Sequence, residues 1–131
     1  MLATAPFLQP DSLSLALQQL SDSNASYAFS VTAFPFPVQR AIRINAENRV
    51  EAIWPENIPR RSQDLEEAFH DAGQFYWGTR QAFEQGEPIF SSGSIPIRLP
   101  RYRVQDIDTP EDWKLAELMF NALRDAGDLA H

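Results

Sequence analysis

The stretch Val104–Trp113, V-Q-D-I-D-T-P-E-D-W, decides how this chain is organised. Asp106 and Asp108 flank the apolar Ile107. Side chains alternate along an extended segment, so the two carboxylates are predicted to project to one side while Ile107 turns into the core. A strong helix start follows, with Thr109 as the predicted N-cap and with proline and acidic residues in the first turn. The stretch is therefore predicted to be a strand end that turns into a helix.

Two interpretations of this acidic pair are open. A strand end that presents paired carboxylates before a helix is a common place for an α/β protein to hold a divalent cation. Alternatively, Asp106 and Asp108 are turn and capping residues that bind no ligand. On spacing alone, the turn and capping interpretation is the favoured one.

Composition limits the class of protein. The 131 residues, 44% of them hydrophobic, suit a single domain spanning residues 1–131. A net charge of −7 argues against a general nucleic-acid surface, although a bound metal ion can neutralise a nucleotide phosphate locally. The absence of cysteine excludes disulfides, a thiol nucleophile and cysteine-ligated zinc, and two histidines exclude a histidine-rich metal site. The N-terminal stretch has no basic region and is too short to span a membrane, so a cytoplasmic protein without a membrane partner is expected.

The first half of the chain alternates between predicted strands and helices. Leu2–Ala5 reads as the end of a buried strand. A helix is predicted from Pro10 or Asp11, with an apolar stripe of Leu13, Ala16, Leu17 and Leu20. Further predicted elements are a buried strand at Tyr27–Phe34 and a β-hairpin of Val38–Ile44 and Arg49–Trp54. Because a lone hairpin is unstable in water, its apolar face is expected to rest on the domain or on a second subunit.

The second half continues this alternation. Its predicted elements are a helical turn at Glu66–His70, an aromatic strand at Gly73–Gly78, a helix at Thr79–Gln85 ended by Gly86, a strand at Ile95–Leu99 and a helix at Glu111–Arg124. Trp113, Ala116, Phe120 and Leu123 are predicted to form one buried stripe of that last helix. The alternation indicates a three-layer α/β domain whose ligands lie beyond the carboxyl ends of the strands. Three candidate segments fall at strand ends or in adjoining loops: Thr4–Pro6, Arg60–Gln63 and Asp106–Asp108.

Five segments in order carry a resemblance to a known family. They read L-A-T-A-P-F, F-S-V-T-A-F-P-F-P, W-P-E-N, R-S-Q-D-L-E-E-A-F-H-D-A-G-Q-F-Y-W-G and R-Y-R-V-Q-D-I-D-T-P-E-D-W. Together they resemble the acylneuraminate cytidylyltransferases, and most of all the pseudaminic acid branch of that family. The resemblance implies a partial three-layer α/β/α Rossmann-like nucleotidyltransferase sheet with a protruding β-hairpin dimerisation arm at about residues 38–54. It also implies transfer of CMP from CTP to a nine-carbon acidic sugar, with release of pyrophosphate and with Mg²⁺ as cofactor.

The resemblance also suggests roles for single residues. Asp106 and Asp108 correspond to the acidic pair that binds the metal, and carboxylate oxygens suit Mg²⁺. Thr4 would contact the sugar through its hydroxyl, and Tyr76 would line the sugar pocket. Arg61 and Gln63 match an R-x-Q that reaches a sugar carboxylate, for which the arginine fork is well shaped.

This sequence departs from the sialic acid enzymes at several positions. Leu2, Ala5 and Gln39 stand where those enzymes carry glutamine, serine and lysine, which favours a differently substituted sugar.

A larger departure concerns the nucleotide. The family begins with a loop rich in glycine and basic residues that cradles the CTP phosphates, and no such segment occurs in this sequence. By comparison with the βαβ nucleotide half of the family, roughly 90–100 residues are expected to be missing, and the chain is expected to be weak or inactive alone. The alternatives are a non-catalytic module for homo-oligomerisation or ligand binding, and an enzyme completed by a separate N-terminal polypeptide. Because the hairpin resembles the dimerisation arm of the family, a homodimer is expected.

Overall fold

The computed structural model describes residues 2–129 and has the mixed α/β class that the sequence predicts, compatible with a partial Rossmann-like fold. The helices and strands, in chain order, are α1 (Pro10–Ser21), β1 (Tyr27–Ala33), β2 (Ile42–Ile44), β3 (Val50–Ala52), β4 (Phe69–Gly78), α2 (Arg80–Gln85), β5 (Ser94–Arg98) and α3 (Pro110–Asp125). The chain forms two compact units: the described residues of Met1–Thr32 and Asp71–His131 make the first, and Ala33–His70 makes the second. Within residues 2–129, no helix has the length and apolar character needed to cross a membrane.

A three-stranded sheet in the order β4-β1-β5 organises the first unit. The central strand β1 is apolar at most positions and is buried from Tyr27 to Thr32, which explains its place between two neighbours. It pairs in parallel with β5, with Tyr27 opposite Ser94 and Val31 opposite Arg98. Parallel pairing brings the carboxyl ends of these two strands to the same edge of the sheet.

The larger hydrophobic core lies between this sheet and α1. Phe75 of β4 is 1% exposed and packs in a cluster with Ala16, Leu20, Ala28 and Ile97. Helix α1 begins at Pro10 as predicted, but it contributes only two fully buried side chains, and Leu17 of the predicted stripe is 44% exposed. The prediction was wrong for Leu17 because the face of α1 that packs on the core is formed by Leu13, Ala16 and Leu20.

The end signals of the other two helices are confirmed. Thr79 caps α2 by accepting a hydrogen bond from the backbone N–H of Ala82 at 3.1 Å, and Gly86 ends that helix with a φ of 64°. Thr109 caps α3 in the same way. Local sequence alone therefore places these boundaries correctly.

The buried stripe of α3 differs from the prediction. Ala116 and Leu123 are buried against Phe7, with Met119 packed beside them, whereas Trp113 is 59% and Phe120 is 45% exposed. At 100° per residue, the three packed positions centre on one side of the helix, and the two aromatic positions lie at the border of that side. Trp113 and Phe120 instead line a hollow of about 620 Å³ on the same unit.

The second unit contains the predicted β-hairpin. Strands β2 and β3 are antiparallel, with Ile42 opposite Ala52 and Ile44 opposite Val50. The side-chain oxygen of Asn45 accepts backbone hydrogen bonds from Glu47 and Arg49, and this stabilises the turn.

Two local predictions in this unit were wrong. Val38–Arg40 forms a 3-10 turn rather than the start of a strand, because the N–H of Arg40 bonds to the carbonyl of Pro37. Glu66–His70 is not helical. Its last two residues already belong to β4, and the carbonyl of Ala68 pairs with the N–H of Phe34.

Candidate functional site

The acidic segment before α3 is irregular rather than a strand end. After β5 the chain makes a 3-10 turn at Arg101–Arg103, and residues 104–107 have no regular secondary structure. The start of the segment is held by a hydrogen bond, because the side-chain Nε2 of buried Gln74 donates to the carbonyl of Arg103 at 2.8 Å. Ile107 packs in the cluster with Phe7, as the sequence predicts. Tertiary anchoring therefore replaces the strand pairing that was expected here.

Asp108 lies at the bend that leads into α3 and is exposed. Its backbone N–H and that of Thr109 both donate to Oδ2 of Asp112 at 3.0 Å, and the Thr109 hydroxyl oxygen accepts the N–H of Asp112 at 3.1 Å. This is a reciprocal capping box that also holds the backbone of Asp108. The pKa of the Asp112 carboxyl lies below its usual value, chiefly because the N–H of Asp108 donates to it, and partial burial opposes this shift only in part.

This pKa shift predicts a pH-dependent contribution of Asp112 to stability. A depressed pKa in the folded state means that the contribution is present above the ordinary value of 3.8 and is lost as the pH falls through the folded-state pKa. The difference in Tm between the wild type and Asp112→Asn should therefore be largest near neutral pH and should shrink below about pH 4. Thermal unfolding followed by circular dichroism between pH 3 and pH 7 measures it. A difference that stays constant over this range would contradict the assignment.

Strand β4 brings a group of polar side chains to Gly73. The side chain of Asp106 lies against this glycine, since a Cβ placed on Gly73 would be 3.6 Å from both Cγ and Oδ2 of Asp106. On the same strand, the hydroxyl of Tyr76 donates to Oδ2 of Asp71, and Oδ1 of Asp71 accepts the N–H of Gly73 at 2.8 Å. The structure therefore brings Asp106, the predicted metal ligand, to Gly73, and links Tyr76, the predicted sugar contact, to the same short segment through Asp71.

The sequence-based prediction missed Asp71. Its signal was the tripeptide Asp71-Ala72-Gly73, since an aspartate two residues before a glycine commonly bonds to the backbone N–H of that glycine. Gly73 has a φ of 69°, a conformation that glycine adopts without steric cost.

Thr4 does not lie in a strand. Residues 3 and 4 form an exposed turn, which overturns the prediction of a buried strand end at Leu2–Ala5. The segment is nevertheless tied to β4, because the N–H of Leu2 donates to the carbonyl of Gln74 at 2.8 Å. Phe7, two residues after this segment, is 1% exposed and packs against Ala116 and Leu123 of α3.

Arg61 and Gln63 belong to the second unit. Gln63 is exposed in the 3-10 turn Ser62–Asp64. Arg61 precedes this turn, and its guanidinium pairs with the Asp64 carboxylate through Nε at 2.9 Å and through a second nitrogen at 3.4 Å. An exposed ion pair of this kind contributes about 0–1 kcal/mol, so a ligand carboxylate can compete with Asp64 for the same fork.

The donor set of Asp106 and Asp108 is compatible with Mg²⁺. This cation typically binds through one or two carboxylates and completes its shell with water and substrate phosphate. Asp106 is half-buried with Oδ1 accepting the N–H of Ile107 at 3.0 Å, while Asp108 is exposed. Between residues 2 and 129 there is no cluster of three or more histidine and acidic side chains that could enclose a cation without such help.

Comparison with known proteins identifies relatives, although no protein-family model matches the chain. It is 39% identical over 118 residues to the pseudaminic acid cytidylyltransferase of Campylobacter jejuni, a match that covers 90% of this chain and 51% of the relative. It is 39% identical over 101 residues to a Helicobacter pylori protein named as a pseudaminic acid cytidylyltransferase and UDP-2,4-diacetamido-2,4,6-trideoxy-beta-L-altropyranose hydrolase, covering 76% of this chain and 19% of the relative. It is 32% identical over 118 residues to N-acylneuraminate cytidylyltransferase B of Danio rerio, a match that covers 88% of this chain and 27% of the relative.

These matches confirm the resemblance that the sequence motifs indicated. The chain is homologous to the C-terminal part of these cytidylyltransferases. It spans about half the length of the Campylobacter jejuni relative and smaller shares of the other two.

Proposed function

We propose that this homologue of the acylneuraminate cytidylyltransferases supplies the sugar- and metal-binding part of a CMP-pseudaminic acid synthetase. The observation that carries the proposal is the 39% identity to a pseudaminic acid cytidylyltransferase over 90% of the chain. In the proposed reaction, a hydroxyl oxygen of the acidic sugar attacks the α-phosphorus of CTP. The bond to the leaving pyrophosphate breaks, and the hydroxyl proton is released.

Each predicted site residue has a role in this proposal. Asp106 and Asp108 would hold Mg²⁺, which when bound would reduce the negative charge on the phosphates. Tyr76 and Thr4 would contact the sugar. Arg61 and Gln63 would bind the sugar carboxylate, with Arg61 exchanging its bidentate pair with Asp64 for the ligand.

The test joins this chain to the N-terminal part of the Campylobacter jejuni relative and measures pyrophosphate release from CTP. We expect Mg²⁺-dependent release with pseudaminic acid, little release with N-acetylneuraminic acid, and weak or no release from this chain alone. If the joined protein released no pyrophosphate while the intact Campylobacter jejuni enzyme was active in the same assay, the proposal would be contradicted. Binding of the sugar without release would instead support the alternative, a non-catalytic ligand-binding module.

We also propose that the chain forms a homodimer through the hairpin at residues 38–54. Ile42, Ile44 and Val50 are 54%, 70% and 64% exposed, and an isolated hairpin with an uncovered apolar face is marginal in water. A second copy would cover these side chains.

Light scattering at micromolar concentration tests the dimer. We expect twice the chain mass of 14.9 kDa for the wild type and a monomer for Ile44→Glu. Arg43→Ala is the matched control, because Arg43 alternates with Ile44 along β2 and pairs with Glu51 at 3.9 Å. A monomeric wild type would contradict the proposed interface.

A further inference from the structure

We infer that Asp71 is a positioning residue that turns the Tyr76 phenol into a hydrogen-bond acceptor toward the ligand. This subsite would then select a donor group on the sugar, either a hydroxyl or an N-acyl amide N–H. The inference rests on the proposed function, which supplies an acidic sugar as the ligand. Beyond that function, Tyr76 would recognise a donor group of the sugar, and Asp71 would determine that choice.

Both oxygens of the Asp71 carboxylate are committed. Oδ1 accepts the backbone N–H of Gly73 at 2.8 Å, which ties the carboxylate to the strand. Oδ2 is then directed at the hydroxyl of Tyr76, which donates to it. Asp71 is half-buried, so this charge-assisted hydrogen bond is less weakened by water than one at an exposed site.

The contact depends on an irregularity in β4. Residues 71 and 76 are five positions apart, and in a regular strand side chains at odd separations point to opposite faces. Gly73, with a φ of 69°, lies between them and interrupts this alternation in the manner of a β-bulge. A feature that bends one strand so that a carboxylate meets a phenol suits a positioning role.

The Tyr76 ring is also held in place. It stacks on Phe29 of β1 with a centroid distance of 5.6 Å and an interplanar angle of 27°, and Phe29 stacks in turn on Phe90. Tyr76 is itself half-buried, so part of its surface remains open to solvent. The ring plane is therefore set by aromatic packing and the hydroxyl direction by Asp71.

The chemistry of the phenol then decides what it can bind. A neutral phenol has one O–H donor, and here that donor is used by Asp71. Only the oxygen lone pairs remain for a ligand, and they accept from hydroxyl or amide N–H groups. A ligand carboxylate is disfavoured at this point, because it needs a donor and the phenol proton is already used.

The test reverses the polarity of this pair with Asp71→Asn. The amide can keep its oxygen on the Gly73 N–H, but its nitrogen can only donate to the phenol, so Tyr76 becomes the acceptor within the pair. The tyrosine Fermi doublet in the Raman spectrum distinguishes a donating from an accepting phenol. Tyr76 is one of three tyrosines, so subtracting the spectrum of Tyr76→Phe isolates its signal. We expect a donating phenol in the wild type and an accepting one in Asp71→Asn, and an unchanged doublet would overturn the inference.

Binding measured by calorimetry with pseudaminic acid supplies the second readout. We expect Asp71→Asn and Tyr76→Phe each to weaken binding by about tenfold, and the double variant to be no weaker than either single one. Additive losses, or wild-type affinity in Asp71→Asn, would overturn the inference. Tyr76→Phe keeps the link between Asp71 and Gly73, so it remains informative if Asp71→Asn fails to fold.

The two readouts separate this inference from the proposed function. A wild type that shows the donating phenol but binds no pseudaminic acid would contradict the proposed function, and with it the ligand side of the inference. Sugar binding with an unchanged doublet in Asp71→Asn would leave the proposed function in place and remove Asp71 from it.

Discussion

Asp106→Ala is expected to weaken Mg²⁺ binding by at least about tenfold while leaving the fold largely intact. Loss of a residue that only orients a metal ligand typically costs 10–100-fold in affinity, so loss of a proposed ligand should cost no less. The fold should survive, because the Asp106 carboxylate accepts the N–H of the adjacent Ile107 and its side chain lies against Gly73 rather than in a hydrophobic cluster. Calorimetric titration with Mg²⁺ alone measures the effect, and Asp108→Ala should behave in the same way.

The control for this experiment must remove the same charge elsewhere, because a chain of net charge −7 attracts cations in general. Asp125→Ala is suitable, since Asp125 is the last residue of α3 and lies about 22 Å along the helix from its start. It should bind Mg²⁺ as the wild type does. Equal affinity in Asp106→Ala, Asp108→Ala and Asp125→Ala would show that the acidic pair is a capping feature without a metal.

Phe75→Ala is expected to lower the free energy of unfolding by about 3–5 kcal/mol. Phe75 is 1% exposed and contacts residues from α1, β1 and β5 in the larger core cluster. Its removal would leave a cavity that these elements cannot close without moving apart. Urea unfolding followed by circular dichroism measures the loss. The dependence of the unfolding free energy on urea concentration should have the same slope in the wild type and the variant.

Phe90→Ala is the matched control for the core. It removes the same atoms from a side chain that is 75% exposed and that stacks on Phe29. Its cost should be about 1 kcal/mol or less. If Phe75→Ala and Phe90→Ala were equally mild, the cluster around Phe75 would not be the main source of stability in the first unit.

The local prediction succeeded where the determining residues are neighbours in the chain. The start of α3 depends on Thr109 and Asp112, which are three positions apart, and the reciprocal hydrogen bonds between them are present. The left-handed end of α2 at Gly86 depends only on glycine having no side chain. The family resemblance rests on long motifs in their order, and the relatives confirm it.

The prediction failed where residues distant in the chain determine which side chains are buried or whether a segment forms a strand. Trp113 and Phe120 have the spacing of a buried stripe, but the partners of α3 are Phe7 and Ile107, which meet the helix on the side of Ala116 and Leu123. Residues 104–107 read as a strand end, but they have no regular secondary structure, and the side chain of Gln74 bonds to the carbonyl of Arg103 just before them. Periodicity predicts which side chains share a face of an element, but it does not predict which other element packs against that face.

The sequence by itself determined the class of the fold, the ends of its helices, the hairpin turn and the family, because each follows from residues a few positions apart or from an ordered set of motifs. Only the tertiary structure decided that Asp106 lies against Gly73 and that Asp71 receives the Tyr76 hydroxyl. The first contact joins segments more than thirty residues apart in the chain. The second reverses the ordinary alternation of a strand, and it exists because one glycine adopts a positive φ.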